Sequence, residues 1–203
     1  MKHRFEQGSN PNAPTLLLLH GTGGTEEDLM PLGRMISPGS SLLGVRGNVL
    51  ESGMPRFFRR LSEGVFDEED LIFRTQELLD FVNEQAETYG FDRSRVVAVG
   101  YSNGANIAAS LLFHHADSLA GAVLLHPMVP RRGVTLPDLG EVGVFIGAGR
   151  NDPLCPPQES EELERLLTGA GAAVDLHWEN NGHQLSRTEV EAAAKWFGAH
   201  YPG

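Results

Sequence analysis

The run from Val96 to Asn106, VVAVGYSNGAN, constrains the fold more than any other stretch of the chain. Val96 to Val99 read as a buried strand and Ala105 to Phe113 as a helix, with Ser102 on the turn between Gly100 and Gly104. A larger residue at 100 or 104 would hold strand and helix apart, so the two glycines permit a close crossing. The Ser102 hydroxyl is then left pointing outward from the turn, the arrangement called a nucleophile elbow. Such a chain needs a strand-turn-helix unit whose strand lies inside a sheet.

Further strands are expected at Leu16 to Leu19, Leu42 to Val45, Ala122 to Leu125, Val142 to Ile146 and Val174 to Trp178. Helices are expected at Leu71 to Tyr89, Glu159 to Leu167 and Glu189 to Phe197. This alternation predicts one α/β domain spanning residues 1–203, a mainly parallel sheet with helices on both faces and no large cap domain. The 203 residues are enough to bury about 70% of the surface that the unfolded chain exposes, so no metal or disulfide is needed to hold the core. Ligands in such sheets bind beyond the carboxyl ends of the strands, and the residues there carry the chemistry.

Three strand ends complete a constellation around Ser102. Asp152 follows the strand at Val142 to Ile146, on a turn before Pro153, and His183 follows the strand at Val174 to Trp178. The order Ser, Asp, His is that of the α/β-hydrolases. A serine hydroxyl is a weak nucleophile unless a neutral imidazole takes its proton, the role expected of His183. Asp152 would hold the ring in the right tautomer and stabilise the imidazolium. The glycine-rich loop His20-Gly21-Thr22-Gly23-Gly24 is an oxyanion-hole candidate, with the amides of Thr22 and Asn103 as donors worth roughly 3 to 4 kcal/mol each. A phosphate loop has similar glycines, but no Gly-Lys-Ser or Gly-Lys-Thr occurs here.

The remaining candidates concern the pocket. His126, ahead of Pro127, and the adjacent Phe57 and Phe58 are candidate substrate-binding residues, with a core anchor as the alternative for the two phenylalanines. Arg56, Arg59 and Arg60 beside them read as salt-bridged surface. His114 and His115, near a helix end, read as partners of the helix dipole. His20, His126, His183 and Asp152 could converge on a metal, but no paired-ligand spacing supports this, so no metal and no cofactor are expected. An excess of acidic residues gives a net charge of -11, which argues against nucleic acid and anionic membrane surfaces and leaves a small-molecule ester as the expected partner. The single cysteine, Cys155, excludes an intrachain disulfide, fits a reducing compartment and reads as a buried small hydrophobe. With no signal peptide at Met1 to Gly8 and no span of about 18 apolar residues, a cytoplasmic location is expected.

The motifs HGTGGTEEDL, LLGVRGNVLESGMPRFFRRLSEGVFDEEDL, VGYSNGANIAASLLF, GAGRNDPLCP and NGHQLS together resemble the bacterial carboxylesterase/phospholipase family of small α/β-hydrolases, related to the acyl-protein thioesterases. The resemblance runs over nearly the whole chain and looks closest to the hydroquinone-inducible hydrolases. It implies a Ser102, Asp152, His183 triad, no cofactor, activity on short-chain carboxylic esters, aryl esters included, and a homodimer. The chain departs from the thioesterase branch at Asn103, where that branch has Gln, and at His126-Pro127, where it has Ser-Gly. The competing readings are an acyl thioesterase or lysophospholipase, a hydrolase of aromatic ring-cleavage products, and a small-molecule receptor on a hydrolase fold that performs no turnover.

Overall fold

A computed structural model describes all residues, Met1–Gly203. The chain runs β1 (His3–Glu6), β2 (Thr15–Leu19), α1 (Met30–Ile36), β3 (Leu42–Val45), β4 (Val49–Glu51), β5 (Met54–Arg56), β6 (Arg60–Ser62), β7 (Val65–Phe66) and α2 (Glu68–Tyr89). It continues through β8 (Val96–Tyr101), α3 (Asn103–His114), β9 (Gly121–Leu125), β10 (Gly143–Gly149), α4 (Pro157–Gly169), β11 (Ala173–Glu179) and α5 (Arg187–His200). Every strand and helix read from the sequence is present; Leu42–Val45 keeps its expected bounds, the strand expected from Val142 starts at Gly143 and runs on to Gly149, and the others are longer by one to a few residues.

Seven strands form one sheet in the order β1-β3-β2-β8-β9-β10-β11. Only β1 is antiparallel, pairing with β3 at the edge; the other neighbours run parallel. The interior strands are continuous apolar runs because both of their faces are covered. Leu17 and Leu19 of β2 pack into the larger core with α2, α3 and α4, whereas Leu16 and Leu18 face the smaller core with α1 and α5. Each fully buried leucine of this kind contributes about 1.5–3 kcal/mol. Helix α3 lies over the sheet's centre, with every residue from Asn103 to Phe113 buried.

Local signals place the helix ends. Asp67 caps α2 by accepting the Asp70 N–H at 3.1 Å, and Gly90 ends that helix in a left-handed conformation at φ 74°. His114 closes α3, its Nδ1 donating to the Ser110 carbonyl at 2.9 Å. Between β3 and α2 the chain leaves the sheet and makes two small hairpins, β4-β5 and β6-β7. The sequence reading missed them, together with β1 and α1. No helix is long and apolar enough to cross a membrane.

Candidate active site

Ser102 sits between β8 and α3 at φ 52°, ψ -111°, a conformation that costs a non-glycine residue about 1–3 kcal/mol. The fold holds it there: the Ser102 N–H donates to the Leu125 carbonyl at 2.9 Å, and its own carbonyl accepts the Asn106 N–H at 3.0 Å. A Cβ on Gly100 would sit 2.5 Å from the Gly104 carbonyl oxygen, and one on Gly104 would collide with the Leu19 carbonyl. The two glycines thus let α3 start directly above β2 and β8, as the motif requires.

The Ser102 Oγ lies 2.8 Å from His183 Nε2, and His183 Nδ1 donates to Asp152 Oδ2 at 2.8 Å. This line can remove a proton from the hydroxyl and stabilise the imidazolium that results. Asp152 is buried, and its other oxygen accepts the Leu154 and Cys155 N–H groups at 2.8 and 2.9 Å. Burial works to raise its pKa, but the Cys155 amide and the two histidines that donate to it outweigh burial and hold the carboxyl below its ordinary value. The loop bearing His183 is tied down by Tyr101, whose hydroxyl donates to the His183 carbonyl at 2.8 Å. Burial, reinforced by the Asp152 charge, pushes the Tyr101 phenol up to about 12.

Thr22 and Asn103 flank Ser102. The Gly23 and Gly24 amides are occupied by the Pro55 and Gly21 carbonyls, whereas the Thr22 amide has no partner within the chain. The Asn103 amide opens α3, where the first N–H groups have no intrahelical acceptor. Both lie on the wall of a cavity of about 270 Å³ above Ser102. Asn103 Oδ1 also accepts the Phe57 N–H at 2.8 Å, tying the elbow to the segment after β5.

Several pocket residues stand elsewhere than expected. Phe57 and Phe58 are core anchors, 1% and 0% exposed, and do not line the cavity; its apolar wall comes from Phe66, Met128 and Leu154. A pair of adjacent aromatics was the wrong signal, because the chain turns inward at both residues. His126 is not a pocket residue either: it is wholly buried behind Asp152, with Nδ1 2.9 Å from Asp152 Oδ2 and Nε2 3.0 Å from Glu189 Oε2. Burial opposes a charge on His126, but Glu189 and then Asp152 overcome it and raise the pKa. His20 stands apart from the other histidines, accepting the Gly47 N–H on Nε2 and donating from Nδ1 to the Gly21 carbonyl. Burial lowers its pKa.

His126, Asp152 and His183 bring three donor atoms within 4.8 Å of one another. Their hydrogen bonds to each other, to Ser102 and to Glu189 already engage those atoms. Of the arginines, Arg59 makes the expected surface pair with Asp67. Arg56 is paired too, its Nη1 lying 3.8 Å from Glu51 Oε2, but it is not surface: it is 2% exposed and lines the cavity. Its Nη1 donates to Thr22 Oγ1 at 2.6 Å and its Nε to the Phe58 carbonyl at 3.1 Å. Burial and the neighbouring Arg60 charge lower its pKa to about 10.

The Dienelactone hydrolase family matches this chain over residues 57–200, and the chain belongs to that family. It is 62% identical to MhqD of Bacillus subtilis strain 168, a protein named as a hydrolase, over 97% of this chain and 98% of that one. The crystal structure of a Bacillus cereus carboxylesterase superposes with a TM-score of 0.98 at 61% identity, covering 99% of this chain and 95% of that one. A more distant relative, acyl-protein thioesterase 1 of Cryptococcus neoformans, is 25% identical over 76% of this chain and 72% of that protein. The chain is accordingly a single-domain α/β-hydrolase that acts on esters.

Proposed function

We propose that the protein is a serine carboxylesterase for short-chain esters, working through an acyl-enzyme on Ser102. The observation that carries this reading is the unbroken line from Ser102 Oγ through His183 to Asp152, with both contacts at 2.8 Å. His183 takes the Ser102 proton as Oγ attacks the ester carbonyl and returns it to the leaving alkoxide. The Thr22 and Asn103 amides meet the oxyanion, and water activated by His183 then releases the acid. The cavity of about 270 Å³ lies below the roughly 300–1,000 Å³ of pockets that hold drug-sized ligands, which supports acyl groups of a few carbons. Its lining is mixed, with Arg56, Arg60 and Glu63 alongside Phe66 and Met128. No cofactor takes part, and the acidic surface suits a cytoplasmic enzyme with a small-molecule partner.

Intact-mass spectrometry during turnover of p-nitrophenyl butyrate tests the reading. The expected adduct is one butyryl group on Ser102, absent from Ser102→Ala, which also loses fluorophosphonate labelling and at least about 10³-fold in kcat. Labelling retained by the variant, or kcat/KM rising from butyrate to long acyl chains, would contradict it. A receptor without turnover would give no burst of nitrophenol.

A further inference from the structure

The hydrogen-bonded line does not end at Asp152. Both ring nitrogens of His126 face a carboxylate oxygen, Asp152 Oδ2 at 2.9 Å and Glu189 Oε2 at 3.0 Å, and none of the three side chains reaches solvent. A neutral imidazole has one N–H, so with two ionised carboxylates one lone pair would oppose another; an imidazolium satisfies both contacts. We propose that His126 is a positioning residue held as an imidazolium between Asp152 and Glu189, extending the catalytic line to Ser102, His183, Asp152, His126 and Glu189. The proposal rests on the acyl-enzyme reading of Ser102.

The surroundings are built for this contact. Asp152 Oδ2 receives both histidines while Oδ1 receives two backbone amides, so the carboxylate has no freedom to rotate. The His126 backbone is held at φ 53°, its N–H donating to the Gly147 carbonyl at 2.7 Å and its carbonyl accepting the Cys155 thiol at 3.2 Å. Gly147 on β10 makes room for the Glu189 carboxylate, with which any Cβ would collide. Glu189 stands third after the N-cap Ser186 of α5, where a Glu ordinarily turns back to the cap; here its side chain reaches His126 instead. Glu189 and Asp152 together favour the proton on His126 over the opposing effect of burial.

The titratable groups around the His126 ring come from four parts of the fold. They are Asp152 and Cys155 after β10, Glu189 on α5, His183 after β11 at 5.5 Å between ring centres, and Tyr101 on β8 at 6.1 Å. The imidazolium touches the oxygen that receives His183, whereas the opposing charge of Glu189 lies one ring further away. The pair therefore acts on His183 as a dipole with its positive end nearest, which disfavours a second positive charge there.

The test is the pH profile of kcat/KM for His126→Asn and for His126→Asn with Glu189→Gln. Asn keeps an N–H donor toward Asp152, and the double variant leaves no buried charge unpaired. Both are expected to move the acid limb upward by about half a pH unit or more, and to lower kcat at pH 7 about 10-fold with KM within about twofold. A merely structural residue would lower thermal stability and leave the limb in place. An acid limb unmoved or moved down in a folded variant overturns the proposal. In the wild type, ¹H–¹⁵N correlation of the histidine rings is expected to show both His126 nitrogens protonated at pH 7. A neutral His126 ring overturns the proposal, whether or not Ser102 proves to carry the acyl group.

Discussion

At the scale of single residues, Asp152 does two things that a sequence presents as alternatives. Its Oδ1 closes an Asx turn on Leu154 and Cys155, the ordinary use of Asp before Pro, and its Oδ2 holds two imidazoles. The turn fixes the carboxylate that the histidines need. Arg56 plays a comparable part on the other side of Ser102, bracing the Thr22 loop from below. Arg56→Met is expected to reduce kcat/KM for p-nitrophenyl acetate about 10-fold or more by loosening that loop. Arg56→Lys should rescue little of this, because one ammonium cannot reach both Thr22 Oγ1 and the Phe58 carbonyl in the manner of a planar guanidinium. Steady-state kinetics on the two variants check the ranking, and full rescue by Lys would assign Arg56 a role by charge alone. Ser102, Asp152 and His183 were legible because each stands just beyond a strand. Glu189 was hidden because Ser186-Arg187-Thr188-Glu189 reads as a helix cap, and His126 because a histidine after a strand looks like a pocket residue.

Among the elements, the interior strands and longer helices were readable because buried parallel strands are apolar throughout and amphipathic helices repeat. The missed elements lack both signals. Strand β1 is polar and lies at the sheet edge, α1 has seven residues with Pro31 and Gly33 inside it, and the hairpins pair with themselves outside the sheet. Those hairpins matter to the site, since Arg56, Arg60 and Phe66 reach the cavity from them. The crossing of α3 over β2 is a tight joint, with no room for a Cβ at Gly104. Gly104→Ala is expected to destabilise the protein by about 1–3 kcal/mol through overpacking against the Leu19 carbonyl. It should also lower kcat, because Ser102 rides on the same joint. Denaturant unfolding and kinetics on one preparation measure both, and a variant equal to wild type in each would show that the joint can relax.

For the whole molecule, two buried histidines of opposite character shape stability against pH. The His126 pKa is raised in the folded state, so its contribution is complete below the ordinary value of 6.5 and is lost as pH climbs from there through the folded value. The His20 pKa is lowered, so the unfolded chain takes up its proton first and stability falls as pH drops below 6.5 toward the folded value. Asp152 adds to the acid side, losing its contribution as pH falls from 3.8 through its lowered folded value. The unfolding free energy is therefore expected to peak near pH 6.5. Its decline on the alkaline side, below the ordinary Cys155 value of 9.0, should be reduced in His126→Asn with Glu189→Gln. Urea titrations across that range provide the measurement, and an identical alkaline slope in the two proteins would remove His126 as its source.

The separation of the site along the chain adds a consequence in time. Ser102 and His183 are 81 positions apart, and Glu189 follows on α5, which must dock against α1 and β10 before its carboxylate can reach His126. During synthesis the serine therefore emerges well ahead of its base. A nascent chain carries an unreactive hydroxyl, and the enzyme arms itself only when its C-terminal third adds β10 and β11 to the sheet and α5 packs against it.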